Sequence, residues 1–133
     1  MTSYDDIQSG SLIDYQFLWH RESLNGETEG RKSRPCAVVL RLRNSFLIMP
    51  VTTKPPLGNA LAIPFPEIEA LRLKLERGIR RWVIIDEINI DQIPSYVMEP
   101  DALIGQLSKG FGRQLIEAFQ NNRPRLRVTK RND

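Results

Sequence analysis

The sequence predicts a single α+β domain in which strands dominate. At 133 residues, the chain has the length of one domain with a core of its own. Most of its apolar residues fall in runs that are too short for a helix and rich in branched side chains, which is typical of strands. Clear amphipathic spacing is found in two stretches, residues 66–77 and 108–120. No repeat or low-complexity linker divides the chain, so one domain is the simplest account.

Two neighbouring apolar runs predict a central antiparallel hairpin. They are residues 36–42 and 45–51, and the polar pair Arg43-Asn44 between them marks the turn. Such a hairpin brings the start of its first strand and the end of its second to one edge of the sheet. The polar residues gathered at that edge are Arg31, Lys32 and Arg34 before the first strand, and Thr52, Thr53 and Lys54 after the second.

Three further strand regions and one long loop surround the hairpin. The strands are predicted at residues 11–19, 60–63 and 82–91. In the first of these strands apolar residues alternate with polar ones, which predicts that one face is buried and the other is exposed. Residues 20–33 are polar and form a long loop for so small a domain, and loops of this length are often functional.

The two helices are predicted from their ends as well as from their spacing. Helix 66–77 opens with Pro and Glu and ends before Gly78, and helix 108–120 has Ser108 as N-cap. A short helical turn is predicted at residues 100–107. The expected buried stripes are Ile68, Leu71 and Leu75 on the first helix, and Phe111, Leu115 and Phe119 on the second.

Composition and charge bound the class of protein. Hydrophobic residues make up 41% of the chain and charged residues 26%, as in ordinary soluble proteins. No apolar run is long enough to cross a bilayer, and the first nine residues do not resemble a signal peptide, which predicts a cytoplasmic protein without membrane contact. The formal charge is +3, and residues 123–133 alone carry +4. We therefore predict a domain at residues 1–122 followed by a basic tail that is solvated or neutralises phosphates.

A single cysteine and a single histidine limit redox and metal chemistry. Cys36 cannot form an internal disulfide, and its apolar strand predicts buried packing, with a reactive thiol or a metal ligand as the alternative. With His20 as the only other soft ligand, a His/Cys zinc site is nearly excluded. We therefore predict neither a metal nor a cofactor.

Three motifs give the chain a family resemblance. They are Gly30-x-x-x-Arg34-Pro35 before an apolar strand, Pro50-Val-Thr52-Thr53 at the end of the next, and the opening Gly10-Ser-Leu-Ile-Asp14-Tyr. Over most of residues 10–93 the sequence resembles the PemK/MazF toxins of bacterial type II toxin–antitoxin systems. The resemblance implies an SH3-like small β-barrel with one or two helices, including a C-terminal helix. It further implies a homodimer, a metal-independent endoribonuclease acting on single-stranded RNA, and a cognate antitoxin partner.

The resemblance also implies roles for two residues. Cleaving RNA without metal requires a deprotonated 2′-hydroxyl, a protonated leaving oxygen and a stabilised phosphorane. Arg34 and Thr52 match the family's catalytic residues. Because the pKa of arginine exceeds about 12, we assign Arg34 mainly to bidentate stabilisation of the phosphorane and Thr52 to a hydrogen bond with a nonbridging oxygen. Candidate substrate-binding residues are Trp19, His20, Glu29, Arg31, Lys32, Thr53 and Lys54.

Purely structural roles remain open as alternatives for several of these residues. Trp19 could belong to the core instead of stacking on a base, His20 could be an ordinary loop histidine, and the charged residues could form a solvated rim. At the level of function, the sequence predicts a growth-inhibiting endoribonuclease toxin. One alternative is a non-catalytic toxin of the same fold that binds DNA gyrase as CcdB does, although the C-terminal Trp-Gly-Ile of those toxins is absent. Another is a decayed homologue that binds RNA without cutting it.

Overall fold

The computed structural model describes residues 4–28, 30 and 32–131 and has an α+β fold made mainly of strands. This confirms the coarser prediction of an α+β domain in which strands dominate, although the described residues form three α-helices where the resemblance implies one or two. The helices are α1 (His20–Leu24), α2 (Glu67–Arg72) and α3 (Lys109–Asn121). The strands are β1 (Ser11–Tyr15), β2 (Arg34–Arg41), β3 (Ser45–Thr52), β4 (Ala62–Pro64), β5 (Trp82–Ile84), β6 (Glu87–Gln92), β7 (Leu103–Gln106) and β8 (Arg127–Lys130).

The β2–β3 hairpin lies at the centre of one sheet. The main strand order is β4-β5-β3-β2-β1-β7, with antiparallel pairing throughout. β6 pairs with β3 next to β5, and β8 pairs with β6 in parallel. Within the described part of the chain, backbone pairing does not join the edge strands, so the sheet is not closed into the small barrel that the resemblance implies.

The predicted strand at 82–91 is split into β5 and β6, and the split positions the site. β3 pairs with β6 through Ser45–Ile48 and with β5 through Val51 and Thr52. Pro50 lies in the gap between these two ladders and has no backbone N–H to contribute to either neighbour, which accords with a break at this point. Ile85 and Asp86 lie between β5 and β6, and Glu87 begins β6, so two carboxylates emerge at the break.

Alternate residues of the hairpin face two core clusters, one on each side of the sheet. Ala37 and Met49 belong to the cluster covered by α2 and α3. Cys36 and Ile48 belong to the opposite cluster, with Tyr15 and Phe17 among others. The prediction for α3 is confirmed. Its N-cap Ser108 accepts the N–H of Phe111 at 3.2 Å, and its buried residues are Phe111, Leu115 and Phe119.

The prediction for α2 is wrong in two respects. The helix is shorter than the predicted residues 66–77, and different residues face the core. It ends at Arg72, and Lys74 follows with a φ of 60°. Ile68 is 72% exposed and Leu71 46% exposed, so the predicted apolar stripe is wrong at these two positions. The buried residues are Glu69 and Ala70. Glu69 is satisfied there because its Oε1 accepts the backbone N–H of Ser108 at 2.6 Å.

Other local predictions are also corrected. The first strand ends at Tyr15 instead of residue 19, the predicted loop contains α1, and the predicted helical turn at 100–107 contains β7. β7 pairs with β1, and this long-range pairing overrides the weak local preference for a turn. No helix of the described residues is long and apolar enough to cross a membrane.

The C-terminal segment is not a frayed tail as far as the structure describes it. Residues 123–125 form a 3₁₀ turn, β8 pairs with β6 from Glu87↔Arg127 to Ile90↔Lys130, and Arg131 is 7% exposed. The sheet therefore extends past the predicted domain boundary at residue 122. Its last strand passes the point where Asp86 and Glu87 emerge.

Candidate active site

A groove of about 500 Å³ opens at the end of the central hairpin. Its walls are the end of β3 with the loop that follows, the segment between β1 and α1, the break between β5 and β6, and the start of β8. Six of the residues predicted from sequence line this groove: Trp19, Lys32, Arg34, Thr52, Thr53 and Lys54. The lining residues that were not predicted include Asp86, Glu87 and Arg127.

Arg34 and Thr52 occupy facing positions on the hairpin. β2 begins at Arg34 and β3 ends at Thr52. The pairing of Cys36 with Pro50, continued by two residues along each strand, places Arg34 opposite Thr52. Because directly opposed residues of an antiparallel pair point to the same face, the two side chains lie on one side of the sheet. Both line the groove.

The guanidinium of Arg34 is held by aromatic contact. Its Cζ lies 5.4 Å from the centroid of the Trp19 ring, and Arg21 lies at 5.3 Å from the same ring. Trp19 is itself fixed by an edge-to-face contact with Phe17 at 5.2 Å. Arg34 Nε is buried and has no hydrogen-bond partner among the described residues. The ring therefore orients this cation by cation–π attraction, and no ion pair with a carboxylate is seen for it among the described residues.

The Thr52 hydroxyl belongs to a residue that lines the groove. The residue is 8% exposed, and its Oγ1 accepts the backbone N–H of Lys54 at 3.1 Å. Because this bond uses the hydroxyl as an acceptor, its hydrogen remains free to donate to a ligand.

The two carboxylates at the β5–β6 break are buried in the groove wall. Asp86 is 6% exposed and Glu87 5% exposed. Glu87 Oε1 accepts the backbone N–H of His20 at 2.9 Å, and Arg127 Nη2 lies 3.4 Å from Asp86 Oδ2 and 3.6 Å from Glu87 Oε2. Burial raises the pKa of Glu87, while the His20 N–H and the Arg127 cation act in the opposite direction. Asp86 Oδ1 is buried without a partner among the described residues.

Two of the remaining predicted site residues are outside the structural description, and one contributes differently than expected. Glu29 and Arg31 lie outside the described residues. His20 does not line the groove; its backbone N–H, and not its imidazole, reaches Glu87. Among the residues described, no group of three or more His, Cys, Asp or Glu side chains is arranged to hold a metal ion.

Cys36 lies behind the site, in the core. It is fully buried, and burial raises the pKa of its thiol. This confirms the buried packing expected from its apolar strand, since a thiol held in its neutral form is a poor nucleophile and ligand.

The C-terminal segment is tied to several walls of the groove at once. Arg125 Nη2 donates to the carbonyl of Asn59 at 3.3 Å, in the loop after β3. Arg127 lies against the acidic pair. Arg131 Nη1 donates to the carbonyl of Gln16 at 2.7 Å, in the segment that leads to Trp19. Three arginines of this segment therefore each contact a different wall.

The sequence contained one signal for the acidic pair that strand prediction did not use. Asp86 and Glu87 interrupt an otherwise apolar stretch, and two adjacent acidic residues in a predicted buried strand point to a break or a site. Together with Arg34 and Thr52, they give the groove a cation, a hydroxyl donor and a carboxylate base, which are the groups required for acid–base chemistry on a phosphodiester.

Comparison with models of known protein families and with curated proteins found no match.

Proposed function

We propose that the protein is an endoribonuclease that cleaves single-stranded RNA by attack of the ribose 2′-hydroxyl, without a metal or cofactor. The observation that carries this proposal is the facing of Arg34 and Thr52 across the ends of β2 and β3, in a groove that also contains Asp86 and Glu87. A phosphate that binds Arg34 in this groove lies near a hydroxyl donor and two carboxylates.

The mechanism follows from the chemistry of these groups. A carboxylate of the acidic pair takes the proton of the 2′-hydroxyl, and the 2′-oxygen attacks the adjacent phosphorus. Arg34 and Thr52 donate hydrogen bonds to the nonbridging oxygens as negative charge builds on the phosphorane. The bond from phosphorus to the 5′-oxygen breaks, and this oxygen takes a proton from solvent. The products are a 2′,3′-cyclic phosphate and a 5′-hydroxyl.

Glu87 is the better placed base near neutral pH. A general base is most effective when its pKa is near the working pH, and burial moves the pKa of Glu87 in that direction. Asp86 is its neighbour in the same wall, with an oxygen that makes no hydrogen bond within the described residues. Single replacements of each carboxylate separate their roles.

The resemblance extends this proposal to the biology of the protein. The motifs around Arg34 and Thr52 resemble those of PemK/MazF toxins, and the run of antiparallel strands around the β2–β3 hairpin is compatible with an SH3-like arrangement. The protein is accordingly proposed to be the toxin of a type II toxin–antitoxin system, a homodimer in the cytoplasm whose antitoxin blocks RNA binding.

The test is cleavage of single-stranded RNA by purified protein in the presence of EDTA. Wild-type protein should produce 2′,3′-cyclic phosphate ends and should not cut the same sequence with 2′-deoxyribose. Arg34→Ala should lower kcat by about 10²- to 10³-fold, as expected for loss of a transition-state donor. Arg43→Ala is the matched control, because Arg43 is exposed at the opposite end of the hairpin. Equal activity of the two variants would refute the proposal.

Two further assays separate the alternatives. Inhibition of gyrase supercoiling without RNA cleavage would favour the CcdB-like function. RNA binding without cleavage, unaffected by Arg34→Ala, would favour a decayed homologue.

A further inference from the structure

The groove continues past the acidic pair along the C-terminal segment. A second hollow of about 360 Å³ shares four lining residues with the groove, among them Asp86 and Arg127. The hollow adds Asn59 and Arg125 to this shared wall. The two cavities are therefore neighbouring parts of one surface depression.

Two guanidinium groups line this extension and keep donors available. Arg125 is exposed, and within the described residues its guanidinium makes one hydrogen bond, from Nη2 to the Asn59 carbonyl. The Arg127 side chain is 51% exposed and reaches the acidic pair through Nη2 alone. Because a guanidinium carries five N–H donors in a planar fork, each of these side chains can still bind a phosphate in bidentate fashion.

Basic side chains are found on both sides of the wall that the two cavities share. Lys32, Arg34 and Lys54 line only the groove, Arg125 lines only the second hollow, and Asp86 and Arg127 line both. The carboxylates of Asp86 and of Glu87 beside it would repel a phosphate placed directly on them. This arrangement suits a chain of separated phosphates better than a single anion.

We propose that Arg125 and Arg127 form a second phosphate subsite, which binds the backbone of single-stranded RNA away from the phosphodiester at Arg34. The inference rests on the proposed ribonuclease function and assigns the C-terminal segment a part in substrate binding. Its consequence is that RNA long enough to reach the subsite binds more tightly than shorter RNA.

The test uses RNA that the proposed mechanism cannot cut. The probes are fluorescent single-stranded RNAs of random sequence, about 4 and about 20 nucleotides long, with 2′-O-methyl groups throughout. Binding is measured by fluorescence anisotropy over a range of salt concentrations, for wild type, Arg125→Gln and Arg127→Lys. Arg123→Gln is the matched control: it removes the same charge from the same segment, but Arg123 packs over the Phe119 ring at 5.7 Å and does not line the hollow.

Arg125→Gln is expected to weaken binding of the longer RNA on the order of tenfold. It should also reduce the slope of log K against log salt by about 0.7, and binding of the shorter RNA should not change. Arg127→Lys keeps the charge and loses the planar fork of the guanidinium, so it should weaken binding of the longer RNA less than Arg125→Gln does. The subsite is refuted if Arg125→Gln binds the longer RNA as wild type does, or if Arg123→Gln weakens binding equally.

Cleavage of unmodified RNA by the same proteins separates this inference from the proposed function. Binding that depends on Arg125, with no cleavage by wild type, would refute the ribonuclease and support the subsite. Cleavage by wild type with a KM for the longer RNA that Arg125→Gln leaves unchanged would support the ribonuclease and refute the subsite.

Discussion

Arg131 provides a quantitative test of whether the C-terminal segment belongs to the fold. Its Nη1 donates to the Gln16 carbonyl at 2.7 Å, to Asn89 Oδ1 at 3.0 Å and to the Tyr15 hydroxyl at 3.2 Å. The residue is 7% exposed. Replacement by Met keeps the aliphatic stem in place and removes every donor, so the measured change reports on the hydrogen bonds.

The expected loss of stability can be worked from these contacts. Nη1 carries two hydrogens, so its three acceptors share at most two full hydrogen bonds, each worth about 1.5 kcal/mol with a charged donor. Nε is buried without a partner among the described residues, and its removal returns about 1 kcal/mol. The net loss is about 2 kcal/mol. With an unfolding entropy of about 2.1 cal/mol/K per residue, a domain of this length should melt about 7 °C lower.

The assay is thermal unfolding followed by circular dichroism, with urea unfolding followed by tryptophan fluorescence. Lys130→Met is the control, because Lys130 is exposed on the neighbouring position of β8, and it should change stability by less than about 0.5 kcal/mol. The urea midpoint of Arg131→Met should fall without a change in the m-value. If Arg131→Met melts within about 1 °C of wild type, the hydrogen bonds of Arg131 do not stabilise the C-terminal segment.

Further predictions concern protonation, positioning and reactivity. Since burial raises the pKa of Glu87, kcat/KM should fall on acidification at a higher pH than for an ordinary carboxylate. Arg127→Gln removes a cation that lowers this pKa and should move the fall to still higher pH, whereas an unmoved profile would exclude Glu87 as the base. Between the unfolded and the raised folded pKa, the folded protein binds more protons, so the free energy of unfolding should decrease as pH rises through that window, and Glu87→Gln should flatten this dependence in urea titrations. Trp19→Ala should lower kcat about three- to tenfold with little change in KM, because the ring orients Arg34. Trp19→Phe keeps an aromatic ring and should recover part of the lost kcat. An effect on KM alone would contradict a positioning role for Trp19. Cys36 should react with a thiol reagent only after denaturation, and rapid labelling of the native protein would contradict its burial.

The central hairpin was predictable because its information is local. Branched apolar runs and a polar pair at the turn fix both strands, and the turn forms where it was predicted, with Leu42 N–H bonded to the Ser45 carbonyl at 2.8 Å. The first predicted strand began two residues late and ended one residue late, and the second ended one residue early. Arg34 and Thr52 lie within β2 and β3, and this places them in register with each other.

The C-terminal strand was not predictable, because its support is distant in sequence. β8 has four residues and pairs with β6, about forty positions earlier. Arg131 is buried only because Asn89 and Tyr15, 42 and 116 positions away, supply acceptors. A charged residue near a chain end is usually solvated, and no local pattern distinguishes this one.

The prediction of the buried face of α2 failed for a related reason. The apolar spacing predicts that Ile68 and Leu71 face the core. In the structure Glu69 is buried instead, because Ser108 and Arg72 donate hydrogen bonds to its Oε1 at 2.6 and 3.1 Å. Two hydrogen bonds to a carboxylate can outweigh the burial of one or two exposed apolar side chains. The partner at Ser108 lies 39 positions away, beyond any window used to read a helix.

Two of the buried polar atoms that lack a hydrogen-bond partner belong to residues that line the groove. Among the described residues, five buried side-chain atoms lack a hydrogen-bond partner: His20 Nδ1, Arg34 Nε, Asp86 Oδ1, Asp91 Oδ1 and Arg131 Nε. Arg34 and Asp86 line the groove, and His20 contacts Glu87 through its backbone. Each such atom costs stability that an apolar side chain would not. The Arg34 and Asp86 atoms among them face a groove, and a polar ligand bound there would supply an acceptor for Arg34 Nε and a donor for Asp86 Oδ1.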